Sequence, residues 1–579
     1  MSKRFVLFLL FALVDVHDSA FAYGEQYVPF TKPHTTYIVN TVIDLKGETV
    51  NLPEECTLVI RKKGCLKNGT LKGNDTRIKV KKRKCHFRDI IISGTWKAPK
   101  VYGEWFDFQE GINNTTQIKN VFSLCSSDII NEVYFQEGTY YVDNYDEELN
   151  SPAVIRIPSK TRIHSKASFH VLPGSHNQSF VFCFFGVSDC VWDGGRIIGD
   201  LENHIGEDGE QGFGIALRGA QYITIRNVEC LNCWGDGINL QYGGAGKHNE
   251  NVYISNVICS GNRRQGISIE DGINIKVVNS LFRNTGIHRG TSPKFGIDIE
   301  PCYSEAIIRH IMISDCEFDN NVGGGVSCCF IKPTDADIRI INCLDNGGGL
   351  LLCGCDIDIA NPGISVDRYR CEYGKLMFRK NVQNVEMTDC YFQSAFNQEV
   401  NEDVLSHMSF DNLCLRTNEK RTWNYYCLSL ICKSLEDLTF KNCSFEILEN
   451  STLSAVLPSG GDWTGVHMSN CVIIDNRECT IFIPCDIEHS KIDSGKSITF
   501  VNCKKREALQ FYSNRVVVRS KMEDTSILFM NVNKGEYELI GNDIFYSGNI
   551  DGTDIFNRNK VNNINPIVRH SKNTFHKIL

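Results

Sequence analysis

Asp298 and Glu300 stand two residues apart in the stretch 294-KFGIDIEP-301, between and beyond Ile297 and Ile299. Side chains alternate along a strand, so the isoleucines enter a core while both carboxylates share the opposite, open face. Carboxylates roughly 6.5–7 Å apart along one strand lie near the lower end of the acid–base separation of an inverting glycosidase. The same pair can ligate a hard divalent cation such as calcium, which takes several oxygen ligands, or it can be the solvated face of an ordinary strand. The company that the fold brings to this strand decides among these.

That company is set by a repeat. The phrases 223-ITIRNVEC-230, 252-VYISNVIC-259, 275-IKVVNSLF-282 and 311-IMISDCEF-318 share one pattern, with six further copies through 527-ILFMNVNK-534. Their fifth places hold Asn227, Asn256, Asn279, Asp315, Asn342, Asp389, Asn442, Asn470, Asn502 and Asn531. A second series of strands starts on glycine: 214-GIAL, 237-GINL, 266-GISI, 296-GIDI and 325-GVSC. Units of two or three short strands cannot hide their own apolar faces and must stack on their neighbours. The expected fold is all-β, a single-stranded parallel β-helix, with the repeated asparagines forming a side-chain ladder at a spacing of about 4.8 Å. A β-propeller needs a longer and more regular period.

Aligning the leading glycines makes one outward column of Asn239, Ser268 and Asp298 and a second of Gln241, Glu270 and Glu300, with Asp236, Arg263, Arg264 and Gln265 just upstream. Three insertions, 242-YGGAGKH-248, 287-IHRGTSPK-294 and 301-PCYSEA-306, border these strands as walls of a groove, and loops on a rigid scaffold are where binding and catalysis concentrate. On adjacent coils Glu270 and Glu300 fall about 5 Å apart, a spacing at which two carboxylates resist ionising together. One can stay protonated as general acid while the other acts as base. The catalytic candidates are therefore Asp298, Glu300, Asp236 and Glu270. Arg263 and Arg264 suit a sugar carboxylate or sulfate, or the acids beside them. Gln265, Asn239, Gln241 and Lys294 complete the expected binding surface, and Trp234, at a turn before a groove strand, is the expected stacking platform. The stretch 200-DLENHIGEDGEQ-211 supplies His204 and Glu210 from a loop that can fold over the groove.

The phrases 199-GDLENH-204, 234-WGDGI-238, 262-NRRQGISI-269 and 296-GIDIEP-301, with the entry 101-VYGEWFDFQEGINNTTQIKN-120 and 133-VYFQEGTYYV-142, resemble the right-handed parallel β-helix proteins of the pectate-lyase superfamily. The resemblance implies a right-handed coil over 101–579 and a polysaccharide partner. It leaves the reaction open, because the superfamily includes lyases, hydrolases, epimerases and phage tailspikes. The "GDGxxDD" usual at the superfamily's entry is degenerate here. The Asp-Pro-His-Glu phrase of mannuronan epimerases is not found, nor are the Asn-Thr-Asp and Gly-His-Gly of polygalacturonases.

Residues 1–22 read as a signal peptide, with Lys3 and Arg4, the apolar run Phe5–Val14, and a cut after Ala22. An exported protein without a membrane span is expected. Residues 23–100 read as an N-terminal β module that caps the coils, and long excursions are expected near 361–425. The net charge of −8 argues against a nucleic-acid partner. The 26 cysteines, six of which directly follow a repeat asparagine or aspartate, fit core packing better than a disulfide framework. The leading expectation is an exported glycoside hydrolase. A lyase or C5-epimerase acting on a uronic-acid polymer, with the arginines and Lys294, His288 or His248 in play, and a noncatalytic glycan-binding protein are the alternatives. No metal motif is assigned, calcium is the one cofactor envisaged, and the oligomeric state is left open.

Overall fold

The structure, a computed structural model, describes residues 20–21, 30–80, 83–330, 337–354, 363–397, 403–420, 426–459, 462–502, 508–521, 527–531, 536–547 and 567–577. Apart from Ala20–Phe21, which pairs with Tyr37 and Ile38, the expected signal peptide lies outside the described residues. None of the described helices is long and apolar enough to cross a membrane. The chain divides into two compact units, residues 1–141 with 157–167 and residues 142–156 with 168–579.

The first unit contains parallel strands at Thr36–Val39, Thr57–Ile60, Cys65–Val80 and Phe87–Lys97. It runs past the expected boundary at residue 100 because a helix, α1 (Thr115–Ser123), closes onto its last long strand. The buried Asn120 of α1 accepts from Ile92 N at 2.8 Å and donates to Ile90 O at 2.7 Å, satisfying strand groups that lack a neighbour there.

The second unit is a stack of coils. One of its sheets has eleven parallel strands in unbroken chain order, and five of them carry the region of interest: β1 (Gln211–Arg218), β2 (Ile238–Gln241), β3 (Ile267–Ile269), β4 (Phe295–Ile299) and β5 (Gly324–Cys329). Between them the chain crosses to a second parallel sheet, where most coils contribute two short strands, such as Gln221–Arg226 and Glu229–Leu231. The bend between those two strands is the repeat asparagine. Asn227, Asn256, Asn279, Asp315, Asn342, Asp389, Asn442 and Asn470 all have φ between 49° and 57°, the left-handed region that Asn and Asp tolerate best among residues with a side chain. Where an aspartate lies on the neighbouring coil the expected ladder forms, as in Asn342 Nδ2 to Asp315 Oδ1 at 2.6 Å and Asn412 Nδ2 to Asp389 Oδ1 at 2.7 Å.

Two expectations are corrected here. Asn502 and Asn531 belong to another place, a three-stranded sheet in which Ser497–Asn502 pairs with Ile527–Asn531. The excursion expected over 361–425 is largely regular coil, with strands at Gly363–Cys371, Lys375–Arg379, Val382–Thr388, Val404–Asp411 and Cys414–Thr417. The rhythm is masked in the sequence because Arg368, not an asparagine, takes the left-handed bend at φ 51°. Residues 398–402 and 421–425 lie outside the described residues.

The leading glycines have a steric cause. A Cβ on Gly214 would lie 2.9 Å from Gly237 O, on Gly237 2.8 Å from Gly266 O, on Gly266 2.4 Å from Gly296 O, and on Gly296 2.9 Å from Gly325 O. Phe282 and Phe318 close the other side of Gly266 and Gly296 and stack on each other at 5.5 Å, continuing to Tyr369 at 6.5 Å. Cysteines fill the same interior: Cys230, Cys259, Cys316, Cys343, Cys390, Cys443 and Cys471 are buried, and all cysteines among the described residues are free thiols. Gly266→Ala therefore forces a methyl against a backbone carbonyl that cannot swing away. It is expected to destabilise by about 2 kcal/mol or more, read as a lowered thermal midpoint, whereas Gly363→Ala, where a Cβ meets open space, moves the midpoint far less.

Candidate functional site

The register of the eleven-stranded sheet brings the expected column together. Asn239 pairs with Ser268, Ser268 with Asp298 and Asp298 with Ser327 across β2, β3, β4 and β5. One step on, Arg218 pairs with Gln241, and Glu270 and Glu300 follow the ends of β3 and β4. The face expected to be open is, in large part, closed. Asp236, Asn239, Gln265, Ser268 and Asp298 are buried, Glu270 nearly so, while the Glu300 side chain keeps 21% of its surface exposed.

At the centre is Arg264. Its Nη1 lies 3.4 Å from Asp236 Oδ2, its Nη2 3.5 Å from Glu300 Oε2 and its Nε 3.8 Å from Glu210 Oε2. Burial opposes its charge, but Asp236, Asp298, Glu270 and Glu300 outweigh that and hold the guanidinium firmly protonated. The four carboxylates share one countercharge, and each is pushed toward its neutral form. Burial raises Asp236 to about 6 against the pull of Arg264, and burial is likewise the leading cause of the upward shifts of Glu270, Asp298 and Glu300. Asp298 is raised further by Glu300 beside it.

Amides and a hydroxyl fix the acids in place. Asn239 Nδ2 donates to Glu270 Oε1 at 2.9 Å and to Ser268 Oγ at 3.1 Å, Ser268 Oγ donates to Asp236, and Gln241 Nε2 donates to Glu270 Oε1 at 3.1 Å. Gln265 donates to Asp298 Oδ2 at 2.8 Å and accepts from Phe295 N at 2.9 Å. Asn239, Gln241 and Gln265 thus orient the acids; the amide oxygens of Gln241 and Gln265 are engaged as well, while Asn239 Oδ1 has no partner among the described residues.

Three expected binding residues have other duties. Trp234 is buried, with the His204 ring 3.7 Å and the Arg263 guanidinium 3.8 Å from its own ring, so it offers no face to a sugar. Arg263 gives its donors to backbone carbonyls of Arg289, Gly209 and Glu207. His204 is buried and bonded to Asp200 Oδ2 at 2.7 Å. Together with Arg289, which binds Leu201 O, His204 O and Gly206 O, these residues pin the segment 200–210 as a strap that carries Glu210 to Arg264. The signal misled because a tryptophan and an arginine at a groove look alike whether they bind a ligand or a loop. Lys294 packs its side chain over Gly286 and shows no bond to the carboxylates.

Sequence reasoning missed Arg218 and the role of Asp271. Arg218 donates Nε and Nη2 to Gln241 Oε1 at 3.1 and 2.5 Å; carrying the glycine register one coil back would have found it. Asp271, fully buried next to Glu270, accepts from Asn249 N and Ile307 N and holds His248 Nδ1 at 2.8 Å. On the same wall Tyr242 and Tyr303 face each other at 6.2 Å, joining the insertions 242–248 and 301–306.

Residues 183–300, which include this cluster, match the family described as "Right handed beta helix region". The chain carries a right-handed parallel β-helix. The β-helix is similar to two proteins of Bacillus subtilis (strain 168): the uncharacterized protein YclG, 27% identical over 238 residues, and the SPbeta prophage-derived uncharacterized protein YorA, 28% identical over 217 residues. These stretches cover 37% and 33% of this chain, and the chain spans only 40% and 36% of those relatives' lengths. Among solved structures, the mannuronan C-5 epimerase AlgE6 A-module of Azotobacter vinelandii is 11% identical with a TM-score of 0.33, covering 82% of this chain and 99% of its own. The tailspike protein of E. coli bacteriophage HK620, solved in complex with a pentasaccharide, is 11% identical with a TM-score of 0.45, covering 75% and 81%. None of these values carries a residue-by-residue correspondence, so the β-helix site rests on its own geometry.

Raised carboxyl pKa values make stability depend on pH in a definite sense. The folded chain holds these protons more tightly than the unfolded one, so the contribution is greatest below the unfolded pKa and declines as pH rises toward the folded value, a window from 3.8 to about 6 for Asp236. Arg264→Met, which strands the acids without a countercharge, is expected to cost about 3–5 kcal/mol locally. The fall in thermal midpoint should be larger at about pH 7.5 than at about pH 5, where protonation relieves the stranded charge.

Proposed function

We propose that this β-helix is an exported polysaccharide-cleaving enzyme, a glycoside hydrolase that works with paired carboxylates. One observation carries the reading: Glu270 and Glu300 follow adjacent rungs of one sheet, and although burial raises the proton affinity of both, the groups that oppose the rise differ between them. Glu270 accepts two amide hydrogen bonds on Oε1, which favour its ionised form against burial. Glu300 has a single long contact to Arg264 and the larger exposure, with its proton affinity raised. In this reading Glu300 is the general acid that protonates the glycosidic oxygen, and Glu270 is the nucleophile or base on the facing side. Asp298 and Asp236 are positioning residues that, with Arg264, set the field around both. The rung spacing of about 4.8 Å suits the closer carboxylate separation that goes with a covalent glycosyl intermediate. Export rests on the leader pattern of residues 1–22.

A lyase or epimerase reading is less well supported, since its basic groups should be free to neutralise a uronate, and Arg263 and Arg264 are engaged by the protein's own carbonyls and acids. Calcium is also less well supported. Asp236 and Glu300 are turned to Arg264, and among the described residues no three acidic, His or Cys side chains converge as a metal-binding group.

Glu300→Gln, Glu270→Gln and Asp298→Asn are expected to lower cleavage by about 10²–10⁴-fold with an unchanged circular dichroism spectrum. Cleavage by the unaltered chain should fall as pH rises through the elevated pKa of Glu300, because the acid loses its proton. A polysaccharide panel read for reducing ends and for ultraviolet absorbance separates the classes: reducing ends alone mean hydrolase, both signals mean lyase, and glycan binding with neither overturns the enzyme reading. A chelator should leave the rate unchanged; a loss restored by calcium would transfer the acids to a metal role.

A further inference from the structure

The site's polar inventory selects the kind of sugar. The arginines that the described residues place at the floor and its strap are Arg218, Arg263, Arg264 and Arg289, and each is engaged. Arg264 is held among Asp236, Glu300 and Glu210. Arg263 and Arg289 bind carbonyls of the strap, Arg289 adding Glu207 Oε1 at 2.9 Å. Arg218 directs its fork to Gln241 and lies over the Phe180 ring at 4.4 Å. An incoming carboxylate or sulfate therefore finds no free guanidinium fork among them and faces Asp236, Glu270, Asp298, Glu300 and Glu210 instead.

The buried atoms left without a partner point the same way. Asp236 Oδ1 and Asn239 Oδ1 lack a hydrogen-bond partner among the described residues, although both residues are buried. They are acceptors closed to direct contact, which a sugar hydroxyl satisfies by donating through a bridging water. On the flank, Tyr242 and Tyr303 supply apolar surface: their rings lie 6.2 Å apart and tilted by 46°, Tyr303 is 44% exposed, and Tyr242 is tied into its loop by Gly246 N donating to its hydroxyl at 2.7 Å. Rigid aromatic rings bind the C–H faces of a sugar without requiring charge.

We infer that the substrate is a neutral polysaccharide, bound at the carboxylate floor through its hydroxyl donors and stacked on Tyr303 and Tyr242, and that uronic-acid polymers are excluded. This rests on the glycan-cleaving reading above. The acceptor-rich floor selects hydroxyls, and the engaged arginines select against uronates.

The test is calorimetric binding to full-length Glu300→Gln, used as a non-cleaving trap, of gluco-, manno-, galacto- and xylo-hexasaccharides, of hexagalacturonate and hexamannuronate, and of hexaglucosamine. At least one neutral hexasaccharide should bind and the two uronates should not. Tyr303→Ala, at an exposed position that tolerates truncation, should weaken that binding about tenfold, while Tyr303→Phe keeps it. Binding of either uronate, binding of hexaglucosamine alone, no binding at all, or an unaffected Tyr303→Ala each overturns the inference. The two readings fail separately. A neutral glycan bound but left intact by the unaltered chain sinks the hydrolase and spares the substrate class, whereas a uronate polymer hydrolysed to saturated reducing ends does the reverse.

Discussion

Every coil of the second unit makes its backbone hydrogen bonds with the coils above and below, and this dependence governs the rest of the β-helix. A strand such as Ile267–Ile269 has no hairpin partner; its amides and carbonyls belong to Ile238–Gln241 and Phe295–Ile299. Residues in one register position must therefore tolerate their own copies at the rung spacing. The glycine column from Gly214 to Gly325 is the strictest case, since each would-be Cβ meets the next glycine's carbonyl. The asparagine bends meet a looser form of the same demand. A left-handed residue is needed at every rung, and Arg368, His489 or Ser513 can supply it where no asparagine stands.

The same stacking makes a buried polar cluster possible. On an isolated strand, Asp298 would be solvated. On a rung between Ser268 and Ser327, with Gln265 bonded to it and Arg264 nearby, it is enclosed by neighbours whose positions the backbone ladder already sets. The 200–210 strap completes the enclosure from outside the sheet. Its anchors, Arg263, Arg289 and the Trp234–His204 stack, account for the aromatic and basic residues that stood nearest to a binding role in the sequence.

The fold was legible because a period needs no tertiary information: the repeat phrases, the glycine series and the register of Asn239, Ser268 and Asp298 all follow from counting. The carboxylate-bearing column was legible for the same reason. What counting could not show was which residues of the insertions turn inward. Arg263 and Arg264 are neighbours in sequence and alike in chemistry, yet one faces the strap's carbonyls and the other the acids, because adjacent side chains at the entry to a strand point in different directions. Nor could composition distinguish the true end of the N-terminal unit, which depends on one buried amide, Asn120, reaching the strand Phe87–Lys97.

The alternation that first drew Asp298 and Glu300 together also separates them. Both leave the same face of one strand, but Asp298 sits mid-strand beneath Gln265 and is closed off, while Glu300 comes one residue past the strand's end, where the wall 301–306 begins and solvent reaches it. Burial with a like charge at hand raises the proton affinity of each, and Arg264 limits the rise by serving both. A buried acid that cannot touch a ligand can still set the field felt by one that can. In that division Asp298 holds position, and Glu300 is the carboxyl that solvent reaches.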